Sequence, residues 1–311
     1  MNRKSILVGL VLASFAISGC APSTVGQDPG PEISKPASSA AASQAQPAMP
    51  SYQALLQKNG VRPAEIRSFI DGNLQGAAPA EAAAMILGLE EVQQRELPAL
   101  EQAFSAEAVQ KQLQAVRRPG SGLSGAGADL QALLRQAQDD GYKIETAEGM
   151  YFPVIDYTLY QSYQPFVTAD IAAYIGIMSA EAEQPPAKDA ALVIGWDELL
   201  RRAAAQEAFL GRYGHSVRQD AVQQLYSRYV TFAFYGANNT PLFGYENQIL
   251  DVEAKRDYQA ASASGGNSRL LTAIGDFLAV AAKNGGRLTA EVDEFRKAAT
   301  ADLLASPASS R

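Results

Sequence analysis

Residues 79–97 read PAEAAAMILGLEEVQQREL, and the spacing of their apolar side chains decides the fold class. Ala82, Met85, Ile86, Leu89 and Val92 recur at three- and four-residue steps, the period of a helix that buries one face. Pro79 suits a first turn, where a missing N–H costs nothing, and Pro98 should break or bend the helix at its far end. The same period continues outward in both directions. Upstream, PAEIRSFIDGNL (63–74) puts Ile66, Phe69 and Ile70 on one side. Downstream, Ser105 is a candidate cap for a helix through Val109 and Leu113, and Thr168 for one carrying Ile171, Tyr174, Ile175 and Met178. Leu199, Leu200 and Ala203 follow Trp196, and Val222, Leu225, Tyr226, Tyr229 and Phe232 form another stripe. Ser216-Val217-Arg218-Gln219 has capping-box spacing, which predicts a helix start there. Leu270, Leu271, Ile274, Phe277 and Leu278, then Val292 and Phe295 after Thr289, complete the set. The pattern predicts an all-α protein, either a helical bundle or an irregular array of helical hairpins.

One stretch departs from that period. Residues 141–156, GYKIETAEGMYFPVID, place β-branched and aromatic residues on either side of Glu148-Gly149, as a short β-hairpin does, and Pro153 argues against helix. An irregular ordered loop is the alternative reading. Of 25 aromatic residues, 18 lie between Tyr142 and Tyr245, including 11 of the 13 tyrosines. Aromatic faces beside carboxylates suit sugars or cationic ligands, which makes Glu145, Glu148, Tyr151, Asp156, Tyr157 and Tyr160 the candidate ligand-binding residues. Tyrosine also fills half-buried helix seams with its hydroxyl toward water, and packing is the commoner role.

The chain holds one cysteine, Cys20, so no disulfide can form within it. Arg3 and Lys4 precede an apolar run, ILVGLVLASFA (6–16), and Ile17-Ser18-Gly19 leads into the cysteine. A charged start, an apolar core shorter than a membrane span and small residues at a cleavage point are the parts of a secretory signal peptide. With Cys20 at the cut, this segment resembles the lipobox of bacterial lipoprotein precursors. The resemblance implies cleavage between Gly19 and Cys20, diacylglyceryl attachment to the Cys20 thiol, and a protein held at a membrane on the extracytoplasmic side. Two or more acyl chains anchor durably, since each buried methylene contributes about 0.8 kcal/mol.

Beyond the signal peptide (1–19), residues 20–50 form a Pro-, Ser- and Ala-rich stretch with too little apolar surface to order itself, a disordered tether. A small Ala/Gln-rich helical region (51–118) and an aromatic-rich helical domain (129–304) follow, separated by a Gly/Ser linker at 119–128 and ending in a frayed tail at 305–311. The linker contains Gly120, Gly122 and Gly125 in G-x-G-x-x-G order. The segment before it, QKQLQAVRRP, is polar and helical, whereas a dinucleotide fingerprint needs a strand there. No cofactor is expected.

Residues 205–216, AQEAFLGRYGHS, continuing to Ala221 and Leu225-Tyr226, are similar to the helix-turn-helix joint of tetratricopeptide-like repeats. That likeness implies a packed helix pair with a short turn, and no 34-residue repeat extends it. His215, the single histidine, falls in the turn. No G-x-S-x-G elbow, EF-hand loop, phosphate loop or redox motif is present. A formal charge of −7 argues against nucleic-acid partners. The leading functional expectation is a helical protein-interaction module of the bacterial envelope, held at the membrane through Cys20 and paired with an envelope protein. A small-molecule or glycan binder comes second and an envelope hydrolase third.

Overall fold

Proline at N1 starts both α2 (Pro63–Asn73) and α3 (Pro79–Ser105), and in each a glutamate at N3 accepts a bond from the preceding residue's N–H: Glu65 from Arg62 and Glu81 from Ala78. The computed structural model describes residues 48–116, 126–264 and 266–305. Expectations placed on the signal peptide, Gly19, Cys20, the tether up to residue 47, the glycines of 120–125 and the tail from 306 lie outside the described residues.

The protein is all-α. From α1 (Ala48–Leu56) the chain runs through α2 and α3 to α4 (Glu107–Val116) and α5 (Ala128–Asp139). An antiparallel hairpin follows, β1 (Tyr142–Ala147) and β2 (Met150–Ile155), then a 3-10 run, Tyr157–Phe166, and α6 (Ala169–Glu183). A two-residue ladder, β3 (Ala187–Lys188) with β4 (Ala191–Leu192), leads to α7 (Trp196–Arg212) and α8 (Gln219–Tyr235). A second small ladder, β5 (Gly236–Ala237) with β6 (Thr240–Pro241), precedes α9 (Val252–Ala263), α10 (Arg269–Lys283) and α11 (Ala290–Ala305).

Two apolar clusters hold these elements. The first joins Tyr52, Ile66, Ile70, Met85, Ile86, Leu89 and Phe104 to Leu130, Tyr142, Tyr157, Tyr160 and Ile171, so it draws on both sides of residues 117–125. The second joins Trp196, Leu199, Tyr229, Phe234 and Tyr258 to Ile274, Phe277 and Val292. Helix α6 serves both, with Ile171 and Ile175 in the first and Tyr174 in the second.

Three local expectations are corrected. Of the break or bend expected at Pro98, the break does not occur: helix α3 runs through it to Ser105. Proline costs it the bond to the Gln94 carbonyl, which the burial of Val92 before and Phe104 after offsets. Ser105 ends α3 and does not cap α4; its Oγ donates to the Gln102 carbonyl at 2.9 Å, one of the last-turn carbonyls that have no partner within the helix. Helix α8 starts at Gln219; the Ser216 hydroxyl accepts from Arg218 N at 3.3 Å while donating to Asp170 of α6 at 2.7 Å, a turn that stands ahead of the helix.

Candidate functional site

The hairpin is set by its turn. Glu148 (φ 49°) and Gly149 (φ 78°) both take left-handed conformations, the two-residue turn whose twist matches paired strands. The register runs from Tyr142 opposite Ile155 to Ala147 opposite Met150. Ladder bonds therefore fall on Lys143, Glu145 and Ala147, and Ile144 and Thr146 turn their backbone groups outward. The bond from Asp156 N to Gly141 O, 3.0 Å, continues that alternation. Pro153 faces Ile144, at an outward position where a missing N–H breaks no ladder bond, so a strand accepts it.

The two strand edges are treated differently. Along β2, the Gln110 amide substitutes for a neighbouring strand: its Nε2 donates to Tyr151 O at 2.7 Å and its Oε1 accepts from Tyr151 N at 3.0 Å. Gln114 donates to Gly149 O further along. Along β1, no described residue bonds to the outward groups of Ile144 and Thr146.

Beside the hairpin lies a cleft of about 570 Å³. One wall is the strand face carrying Lys143, Glu145, Phe152 and Val154; Met178, Glu181 and Ala182 of α6 and Lys188 of β3 form the other. Glu145 sits between two ammonium groups, Lys143 at 2.8 Å and Lys188 at 3.7 Å, and Lys143 also donates to the Ala182 carbonyl. Burial raises the Glu181 carboxyl above its ordinary range, against the opposing pull of the Tyr229 hydroxyl and Arg202. The cleft thus combines apolar walls with fixed charges of both signs.

Of the residues singled out by sequence, Glu145 and Tyr157 line this cleft and the others are used elsewhere. Glu148 is exposed at the turn, its N–H donating to Asp189 Oδ1 at 3.0 Å. Tyr151 is half-buried against the first core. Asp156 caps the 3-10 run, accepting from Thr158 N and Oγ1 at 3.1 and 2.6 Å. Tyr160 is 3% exposed and donates inward to Gln93.

The tyrosine group is organised around a carboxylate that sequence reasoning missed. Glu90 of α3 is 2% exposed and accepts from the Tyr157 hydroxyl at 2.6 Å, the Tyr174 hydroxyl at 2.5 Å and Arg218 at 2.7 Å. Burial first, and the Glu90 charge second, push the Tyr157 hydroxyl above its ordinary pKa; Tyr174 is raised by burial, then by Tyr157 and Glu90. Gln93, one turn on, accepts from Tyr160 and donates to the Asp140 carbonyl at 2.8 Å. The signal was present: Glu90 and Gln93 continue the spacing of Ile86 and Leu89, inside the apolar stripe.

Among the described residues no group of three or more His, Cys, Asp or Glu side chains is placed to hold a metal ion, and no helix is long and apolar enough to cross a membrane. No family model matches this chain, and no curated protein or solved structure does.

Proposed function

We propose that this is a lipid-anchored lipoprotein of the bacterial envelope whose helical body docks another envelope protein. The observation that carries the reading is the order of parts ending at Cys20: a cationic start, the apolar run 6–16 and Ile17-Ser18-Gly19-Cys20. The Pro/Ser/Ala-rich stretch behind it would let the body stand off the lipid by on the order of 30 Å, by square-root scaling for a flexible chain. The open edge of β1 supports docking, since an extended segment that pairs with Ile144 and Thr146 would lie beside the cleft and receive its side chains.

Radiolabelled palmitate supplied to expressing cells should enter the native protein and not its Cys20→Ser form; equal labelling of both would remove the anchor. Crosslinking capture from intact cells should recover one envelope protein with native chain. Thr146→Pro deletes an outward N–H without touching the β1–β2 ladder, so it should lose that protein while folding normally. Undiminished capture by Thr146→Pro would exclude the strand edge as the docking surface.

The second reading, a small-molecule or glycan binder, rests on the cleft's size and its Lys143–Glu145–Lys188 row. It predicts saturable ligand binding that Glu145→Gln weakens without changing the melting temperature.

A further inference from the structure

Helix α7 leaves one face uncovered. Asp197, Arg201, Ala204, Ala205, Ala208 and Arg212 fall within an arc of about 100°. All are exposed except Ala204, which is half-buried. The opposite face sends Leu199, Leu200, Ala203 and Leu210 into the second core. Hollows of about 420 and 390 Å³ flank the uncovered face, one against α6 and the other against α9. No neighbouring element therefore blocks a second helix from lying along it.

The charges on this face are sorted by end. Asp197 stands in the first turn of α7 and Arg212 is its last residue, about 22 Å further along the axis. Neither forms an ion pair among the described residues. The charged groups around them do: Glu198 takes Arg201 through two bonds of 2.6 Å and Arg202 through a third, and Asp257 takes Arg256 at 2.8 Å. Arg212 has only the face of the Tyr213 ring, 5.7 Å from its centroid.

A face with a free acid at one end and a free base at the other is complementary to itself when turned end for end. Laid antiparallel on its twin, α7 sets Asp197 of each copy against Arg212 of the other. The midpoint between residues 197 and 212 falls between Ala204 and Ala205, so one register closes both ion pairs. The side chains at that midpoint are small, which lets the two helix axes approach to about 8 Å.

We infer that the uncovered face of α7 is a self-association surface, on which a second copy of this chain packs its own α7 antiparallel about a two-fold axis between Ala204 and Ala205. The charge complementarity carries the choice of occupant, because both halves of each ion pair are supplied by this chain. The pairing stands independently of the anchor and of the docked envelope protein.

Sedimentation equilibrium of the full chain carrying Cys20→Ser, so that no native thiol remains, reads the balance of monomer and dimer. A single helix crossing is a small interface, and the expected Kd is on the order of 10–100 µM. Arg212→Glu and Asp197→Lys each turn two attractions into two repulsions and should weaken the dimer at least about tenfold. Combined, they restore both pairs with signs exchanged and should return the Kd to within about threefold of its starting value. Both side chains are exposed, so helical circular dichroism should be unchanged in every variant. Mild oxidation then reads the register. Ala205→Cys places two thiols beside the axis and should crosslink the dimer, whereas Asp197→Cys holds them about 22 Å apart and should not. The inference is overturned by a chain that stays monomeric up to about 1 mM, well above that Kd. It is equally overturned by a dimer indifferent to Arg212→Glu, by a double variant that fails to recover, or by Asp197→Cys crosslinking as readily as Ala205→Cys.

Discussion

Glu90 shows how much a single position can carry. Its carboxylate receives the Tyr157 hydroxyl from the first core, the Tyr174 hydroxyl from the second and the Arg218 guanidinium from the start of α8, a residue 128 positions away in sequence. Each partner neutralises part of a charge that would be prohibitive to bury alone. Replacing Glu90 by Leu strands Arg218, which is only 17% exposed, without a counter-charge. The expected loss is about 3–5 kcal/mol, the penalty for breaking a buried pair from one side, read from chemical denaturation of Glu90→Leu. The double variant Glu90→Leu with Arg218→Met should recover part of that loss, because both charges are then gone. No recovery would mean that the tyrosine hydroxyls, not the ion pair, dominate the site. Gly236 is a second sensitive position for a backbone reason. It closes α8 at φ 75° and ψ −164°, and an added Cβ would stand 2.3 Å from the Thr240 carbonyl oxygen. Gly236→Ala should therefore cost at least about 1–3 kcal/mol through strain alone, measured as a lower denaturation midpoint.

At the scale of the element, the hairpin illustrates what sequence could and could not reveal. Glu148-Gly149 between β-branched and aromatic runs pointed to a hairpin, and the turn has the expected left-handed pair. What the local pattern could not contain was Gln110, forty-one residues from Tyr151 along the chain, acting as the missing strand. Gln110→Leu removes that substitute and with it the two bonds that the amide makes to the Tyr151 backbone. A cost of about 1–3 kcal/mol is expected, with faster amide exchange along β2 than along α3. Uniform exchange across the body would indicate that the hairpin does not open separately. The helices were more legible than their ends. The stripes of α2, α3, α7 and α10 are buried as their spacing requires, with Ile66, Met85, Leu199 and Ile274 each 0% exposed. Helix ends moved where a hydroxyl closed a turn of its own, as Ser216 does in accepting from Arg218 N while also donating to Asp170. The candidate ligand residues were legible only in part for the same reason. Sequence placed Tyr157 and Tyr160 near acids, but the acid that matters to Tyr157 comes from α3, 67 residues earlier.

At the scale of the whole molecule, the buried tyrosines link the two cores to solution conditions. Tyr157 and Tyr160 of the first core and Tyr174 of the second surround the Glu90 network, and Tyr226, Tyr229 and Tyr258 lie elsewhere in the second core. All six are pushed above the ordinary value of 10.0, with burial as the largest cause in every case. Tyr163, at the edge of the first core, rises to about 12 through burial and the Asp71 carboxylate beside it. The sign follows from which form the fold prefers. A tyrosine whose folded pKa exceeds its unfolded value is favoured in its neutral form, so its contribution is complete below pH 10 and is lost as pH rises through the folded pKa. Several such groups act together, and ionising any one of them places a phenolate in a site built for a neutral hydroxyl. The body should keep constant stability as pH approaches 10 from neutrality, then lose it steeply between about pH 10 and 12, with tyrosinate absorbance and helical circular dichroism changing together. Tyr163→Phe removes one titrating group from the first core and should shift the alkaline midpoint upward, against a small loss at neutral pH for the bond to Asp71. Tyrosinate absorbance that rises with a midpoint near pH 10 while helicity persists would show the rings to be open to solvent. It would separate the tyrosine group from the packing that joins α3, α6 and α8, and return those hydroxyls to candidacy for ligand binding.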